Sequence, residues 1–182
     1  MKRSTDRILS THAGALPKPD SLTDASQLSQ ATRAVVDKQL ASGLDIINDG
    51  ELGKTNFYMY AVERMSGFER RELRPGEENP LWAVVRREEQ AVGDYFRLKG
   101  SPFAFPGNRP RPAMNATLAC TGPVRYTGQG AIDKDIANFK SALSGKHYAD
   151  AFLPAPSPGI LASSIPNEHY PDTVSYTHLT LP

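Results

Sequence analysis

The sequence has little cysteine, no long apolar run and almost no net charge, and each shortage removes a class of protein. Its single cysteine, Cys120, excludes an intrachain disulfide and any metal site that draws two thiolates from this chain. It also suits a reducing cytoplasm. No apolar stretch approaches the roughly 18 residues that a membrane helix needs. The opening residues Met1-Lys2-Arg3-Ser4-Thr5-Asp6-Arg7 are basic but lack the apolar segment of a secretion signal. With 21 basic and 20 acidic residues the formal net charge is +1, so no field draws the chain to nucleic acid or to an anionic membrane. The expectation is a cytoplasmic protein with no nucleic-acid or membrane partner. Its 182 residues are enough for one domain with a sizeable core. No pattern in the chain addresses its oligomeric state.

What is present is a recurring strand–loop–helix unit. Residues 44–48, Leu44-Asp45-Ile46-Ile47-Asn48, form a short apolar run after a glycine and a helical pattern, which reads as a strand of a parallel sheet. Asp49-Gly50-Glu51 follows, so polar groups gather at the strand's carboxyl end, where α/β folds usually bind ligands. An ordinary Asp-Gly turn with a solvated Glu is the plainer alternative. Upstream, residues 8–11 make a first strand ending in a loop with His12, Gly14 and Pro17. His12 is there either as a structural hydrogen-bonder or as a site residue. Thr23 or Asp24 caps a helix, with Gln27 completing a capping box, and Leu28, Ala31, Val35, Val36 and Leu40 give it one apolar face. Gly43 stops it. Strand, helix and strand make a right-handed βαβ crossover.

After Glu51 the pattern loosens. A short helix spans 57–65 and ends at Gly67, a charged loop covers 70–79, and 81–96 is either helix or broken strand. Residues 101–112, rich in proline, are a loop. Such an excursion between core strands is long. It is either a lid or substrate wall, or decorated surface. A third strand is expected at 116–120, ending at Thr121-Gly122-Pro123. A helix capped near Asp133 follows, with Ile132, Ile136, Phe139 and Leu143 on one face and Gly145 at its end. The fourth strand is at 149–153, and beyond 159 the chain reads as loop. Four such units are about half of a (β/α)8 barrel, which needs roughly 250 residues.

Four stretches carry a resemblance: Thr11-His12-Ala13-Gly14-Ala15-Leu16-Pro17, Gly43-Leu44-Asp45-Ile46-Ile47-Asn48-Asp49-Gly50-Glu51, Thr121-Gly122-Pro123-Val124, and Phe152-Leu153-Pro154-Ala155-Pro156-Ser157-Pro158-Gly159. In order and spacing they resemble the catalytic barrel of the cobalamin-independent methionine synthase family, closest to its single-barrel bacterial relatives. The resemblance implies an α/β fold, a partial TIM (β/α)8 barrel of about the first four βα units. It implies zinc-dependent methyl transfer from a methyl-folate to a small thiol such as homocysteine, in methionine biosynthesis. Zinc binds the thiol as its nucleophilic thiolate in that chemistry. By the same resemblance, Glu51 holds the substrate's ammonium and the loop at His12, Gly14 and Ala15 meets its carboxylate. Ala15 stands where the family has a Ser, so only backbone contacts of Gly14 and Ala15 carry over, and the identity of the thiol is open. His12 is a substrate contact with no assigned step, and no catalytic residue is assigned.

The family's zinc ligands, His, Cys, Glu and Cys, fall in later strands, and nothing in this chain matches them. Cys120 reads as a small buried apolar residue, and His147 and His169 as solvated. Residues 174–182 continue neither the helical pattern nor the family's sequence and resemble a non-native tail. The expectation is therefore that 1–173 form the amino-terminal half of a barrel, inactive alone, with the zinc site downstream. Two alternatives stand beside it: a zinc-dependent coenzyme M-type thiol transferase acting on epoxides, and a non-catalytic small-ligand module using His12, Glu51 and the aromatic segment 57–60.

Overall fold

The computed structural model describes residues 3–20, 22, 24–56, 58–97 and 116–177. The chain is α/β and divides into two units, Met1–Met65 with Tyr126–Pro156, and Ser66–Arg125 with Ser157–Pro182.

The first unit is built on parallel pairing. Helix α1, Leu28–Ala41, follows a 3-10 turn at Ala25–Gln27. Asp24 is the cap, with its side chain on the Ser26 N–H and Gln27 reaching back to complete the capping box, as the sequence predicts. Gly43 adopts φ +78° and turns the chain into strand β1, Ile46–Asn48. Strand β4, Asp150–Phe152, pairs with it in parallel, Ile46 opposite Asp150 and Asn48 opposite Phe152. The predicted first strand is present as an extended segment that bridges β1 in parallel at Thr11 alone. Asp45 ties it down: the Asp45 carboxylate accepts from the Ser10 N–H at 2.8 Å and from the Arg7 guanidinium at 2.8 Å. Arg7 holds the Asp45 carboxyl well below the usual carboxylate range.

Helix α5, Gln129–Leu143, lies against α1 and covers the sheet. The core joins Val36 of α1, Ile47 of β1 and Phe139, Ala142 and Leu143 of α5, with Leu44 and Ala151 beside them. The helix begins four residues before the predicted cap at Asp133. Its buried face also differs from prediction, because Ile136 is 36% exposed. The inward stripe runs through Asp135, Asn138, Phe139 and Ala142, and its polar members meet polar partners, Asn138 donating to the Thr32 hydroxyl at 3.2 Å. The inward face of α1 likewise includes Thr32 and Gln39.

In the second unit strand β2, Met65–Glu72, pairs with strand β3, Ala116–Tyr126. This corrects two expectations. The stretch at 65–72 is a strand where a helix end and a charged loop are predicted. The strand at 116–120 does not join the parallel sheet as its third member, and it runs on through Gly122 and Pro123 to Tyr126. Gly67 makes this possible: at φ +90°, a Cβ there would lie 2.7 Å from the backbone oxygens of Gly122 and Pro123, so only glycine allows the approach. Arg71 of β2 is paired within this unit, bridging Glu77 at 2.6 Å and Glu168 at 2.6 Å. Residues 80–97 resolve as helices, α3 at Pro80–Ala91 and α4 at Gly93–Arg97. The loop predicted at 101–112 lies outside the described residues, as does Phe57 of the aromatic segment.

Beyond 157 the chain is not loop throughout. It forms helix α6, Pro158–Ser164, and helix α7, Thr173–Thr177. Tyr176 of α7 is buried, donates its hydroxyl to the Ile165 carbonyl at 3.1 Å and stacks on Tyr170. Cys120 is fully buried, and burial pushes its thiol pKa up. A short helix α2, Met59–Val62, occupies the start of the excursion, in the first unit. Among the described residues no helix is long and apolar enough to cross a membrane.

One buried residue joins three segments of the first unit. Asn48 has no exposed surface, and its side chain donates to the His12 carbonyl at 2.6 Å and accepts from the Gly50 N–H at 2.8 Å. Truncation removes both bonds and strands the buried Gly50 N–H, and an unsatisfied buried group costs about 1–3 kcal/mol. The Asn48→Ala variant is expected to lose about 2–4 kcal/mol of unfolding free energy in urea denaturation. A loss below about 0.5 kcal/mol would show that water or relaxation replaces both bonds.

Candidate functional site

The carboxyl ends of the parallel segments carry the predicted site residues, and local backbone chemistry explains their placement. Gly50 and Glu51 are both left-handed, at φ +66° and +57°. Gly50 has no alternative, since a Cβ there would meet Val35 at 2.8 Å. Glu51 has a side chain and adopts the same region, which ordinarily costs about 1–2 kcal/mol and persists only where neighbours enforce it. They do: the Glu51 N–H donates to the Asp49 carboxylate at 3.1 Å, and the Glu51 carbonyl accepts from the Lys54 N–H at 3.1 Å. The Gly50 carbonyl accepts from the Leu16 N–H at 3.0 Å, which fastens the loop after Thr11 to the loop after β1.

In that first loop the His12 Nε2 lies 2.9 Å from the Gly14 carbonyl. A carbonyl only accepts, so Nε2 carries the hydrogen of this bond. Gly14 and Ala15 are exposed, and among the described residues their backbone N–H groups have no acceptor. His12 and the Gly50–Glu51 turn are thus joined through Asn48, while Ala15 stands outside the buried network.

Glu51 is 8% exposed, so the solvated-turn alternative does not hold. Its counter-ion is Lys54, one turn on and 5% exposed, with Nζ 3.5 Å from the Glu51 carboxylate. Sequence reasoning did not single out Lys54. The only signal was its i,i+3 spacing from Glu51, which is common on solvated surfaces. Lys54 Nζ also donates to the Pro154 carbonyl and sits 5.0 Å from the centroid of the Tyr60 ring. Around it lie two further acids. Burial raises the Asp49 pKa above the ordinary carboxylate value, offset in part by its bond from Glu51 and by the charge of Lys54. Asp135 accepts from Arg64 at 2.6 Å and from the Tyr60 hydroxyl at 3.0 Å. Burial, then the bond to Asp135, pushes the Tyr60 phenol pKa well up, so it stays a donor. Arg64 also lies over the Tyr60 ring, 3.8 Å from its centroid.

Asp49, Lys54, Tyr60, Asp135 and Asn138 line a pocket of about 10 Å³, room for roughly one water. None of His12, Gly14, Ala15 and Glu51 lines it. Among the described residues no three His, Cys, Asp or Glu side chains are grouped to hold a metal ion. The arrangement is suited to holding positive charge against a desolvated carboxylate.

No known protein family and no curated protein sequence matches this chain. Among solved structures it is similar to a B12-independent methionine synthase from Shewanella sp. W3-18-1, determined in complex with selenomethionine, with a TM-score of 0.56 and 16% identity. The match covers 91% of this chain and 42% of that one, so the chain spans less than half the length of that structure. At this identity the likeness is one of fold, a distant structural relationship.

The Asp49 shift has a pH consequence. Because its folded pKa is raised, the folded state holds the proton more tightly than the unfolded chain. Its contribution to stability is therefore greatest at acid pH and is lost as pH rises from about 4 through the raised value. Asp49→Asn keeps an acceptor for the Glu51 N–H and removes the titration. Chemical denaturation across pH 4–7 should show the variant gaining on wild type as pH rises, and parallel curves would contradict the assignment.

Proposed function

We propose that this chain is the amino-terminal part of a (β/α)8 barrel that transfers a methyl group from a methyl-folate to a small thiol of the homocysteine class. The observation that supports this best is Glu51. It is a buried carboxylate in a left-handed turn at the carboxyl end of a parallel strand, poised to pair with an ammonium. The fold likeness to a methionine synthase is in keeping with it. On this reading Glu51 takes the ammonium of the amino-acid substrate, the open amides of Gly14 and Ala15 take its carboxylate, and His12 borders the same loop. Desolvation at Glu51 strengthens its hold on the ammonium, and the two contacts together orient the thiol.

Zinc belongs to the proposal but not to these residues. The described residues offer no ligand set for it, so this chain's own contribution is binding and orientation. The ion would make the thiolate available, held by residues further along a longer protein.

The test is methyl transfer to homocysteine from a methyl-folate, with and without zinc, by this chain alone and joined to the sequence encoded downstream. Activity is expected only in the longer protein and only with zinc. There Glu51→Gln should lower kcat/KM by about 100-fold, as expected for loss of a charged pair worth roughly 3 kcal/mol. Zinc-independent transfer by the 182-residue chain would overturn the proposal.

A further inference from the structure

The Lys54 ammonium is enclosed as a bound cation would be. Glu51 faces it with a carboxylate 3.5 Å away, Pro154 with a carbonyl and Tyr60 with its ring at 5.0 Å. Asp49 lies close enough to add negative potential: burial raises its pKa, and the charge of Lys54 opposes that rise. Its backbone is held separately, the Lys54 carbonyl accepting from the Lys18 ammonium at 2.9 Å. Carboxylate, carbonyl and aromatic face together are the groups that recognise an organic ammonium. Lys54 and Tyr60 also line the neighbouring void, which holds no more than about one water.

We infer that Lys54 is the resident occupant of an ammonium-binding cage made by Glu51, Pro154 and Tyr60, and that a ligand's primary ammonium enters by displacing it. The pairing supports displacement. At 3.5 Å the Glu51–Lys54 contact is an ion pair without a close hydrogen bond, so a better placed ammonium gains on it. The Lys54 backbone stays fixed by the bonds to Lys18 and Glu51 whether or not the ammonium is in the cage, so the long stem can swing out with the ammonium reaching water. Lys54 is thereby a built-in competitor that keeps Glu51 paired while the site is empty. This rests on the proposed role of Glu51 only for the identity of the ligand as an amino acid. The cage itself does not depend on it.

The test uses the piece of lysine that a truncation removes. Lys54→Ala deletes Cγ, Cδ, Cε and Nζ, whose shape is that of n-propylammonium. The variant should melt lower than wild type and recover about half or more of the lost midpoint in n-propylammonium chloride at tens of millimolar. Wild type should not respond, and neither should Lys54→Ala combined with Glu51→Gln. Equal recovery in 1-propanol or in sodium chloride of the same ionic strength, or no recovery, overturns the inference. Should Lys54→Ala not fold, Lys54→Met keeps the stem and leaves the carboxylate without its cation. Its deficit against wild type should shrink in the Glu51→Gln background, where no carboxylate is left without a cation. A deficit of the same size in both backgrounds overturns the inference. In calorimetry Lys54→Met should bind methionine about tenfold or more tightly than wild type does, since the competing state is gone. Recovery with n-propylammonium but no amino-acid binding in any variant leaves the cage standing and counts against the methyl-transfer reading.

Discussion

The first unit depends on one neutral, fully buried contact between Gln39 and Asn48. The Gln39 side-chain amide donates to the Asn48 carbonyl at 2.7 Å and accepts from the Asn48 N–H at 3.1 Å. It does for the end of β1 what a neighbouring strand would do, satisfying both backbone groups at once. The Asn48 side chain is then free to turn outward along the loops, to His12 on one side and Gly50 on the other. Helix α1, strand β1 and two loops are thus coupled by side chains that carry no charge and are satisfied where they are buried. A network of that kind is rigid because breaking any member leaves another unpaired in a low-dielectric interior.

That rigidity explains why a strained turn survives. Glu51 has a left-handed backbone with a side chain attached, an arrangement that local preference resists. It is held between the Asp49 carboxylate, the Lys54 N–H and, through Gly50, the loop at Leu16. The consequence is electrostatic. A relaxed turn would point the carboxylate at water, where an ion pair contributes about 0–1 kcal/mol. Here it is desolvated, and a buried pair is weak evidence for stability, since removing the ions from water offsets most of their attraction. The Glu51–Lys54 pair is better understood as a constraint on what the site holds than as a strut. By contrast Arg71, spread between Glu77 and Glu168 in the second unit, sits at a partly open surface and fits the ordinary structural role of such pairs.

Much of the first unit was legible in the residues. The capping box at Asp24, the Gly43 stop and the run at Ile46-Ile47 all act locally, through a cap, a positive φ and β-branched packing, so their signals lie within a few positions of their effects. What was not legible depended on distance. Strand 116–120 has strand composition, but its partner is chosen by whether Gly67 can approach Gly122, a contact 55 residues away in sequence that periodicity cannot convey. Gln39 and Thr32 lie outside the apolar stripe of α1 read from the sequence, yet they face inward because Asn48 and Asn138 answer them. Charged β2 reads as loop since its arginine finds carboxylates only after folding. Among the site residues, the position of Glu51 was foreshadowed by the Asp-Gly turn, whereas Lys54 was hidden: no pattern distinguishes a buried lysine until the carbonyl and ring that receive it are in place.

Parallel strands deliver their carboxyl ends to one side, and this gives the loops after Thr11, β1 and β4 a common edge. Two side chains span that edge. Asn48 reaches from the β1 turn to the first loop, and Lys54 reaches from just beyond the same turn to Pro154 after β4. They are not equivalent. The amide is short, fully enclosed and makes bonds that nothing in solution improves on. The ammonium is the end of a flexible stem, and its carbonyl, carboxylate and ring partners would receive any other primary ammonium as readily. An edge built this way has a fixed half and an exchangeable half, which is what recognition of an incoming cation requires of a scaffold that must also hold its shape while empty.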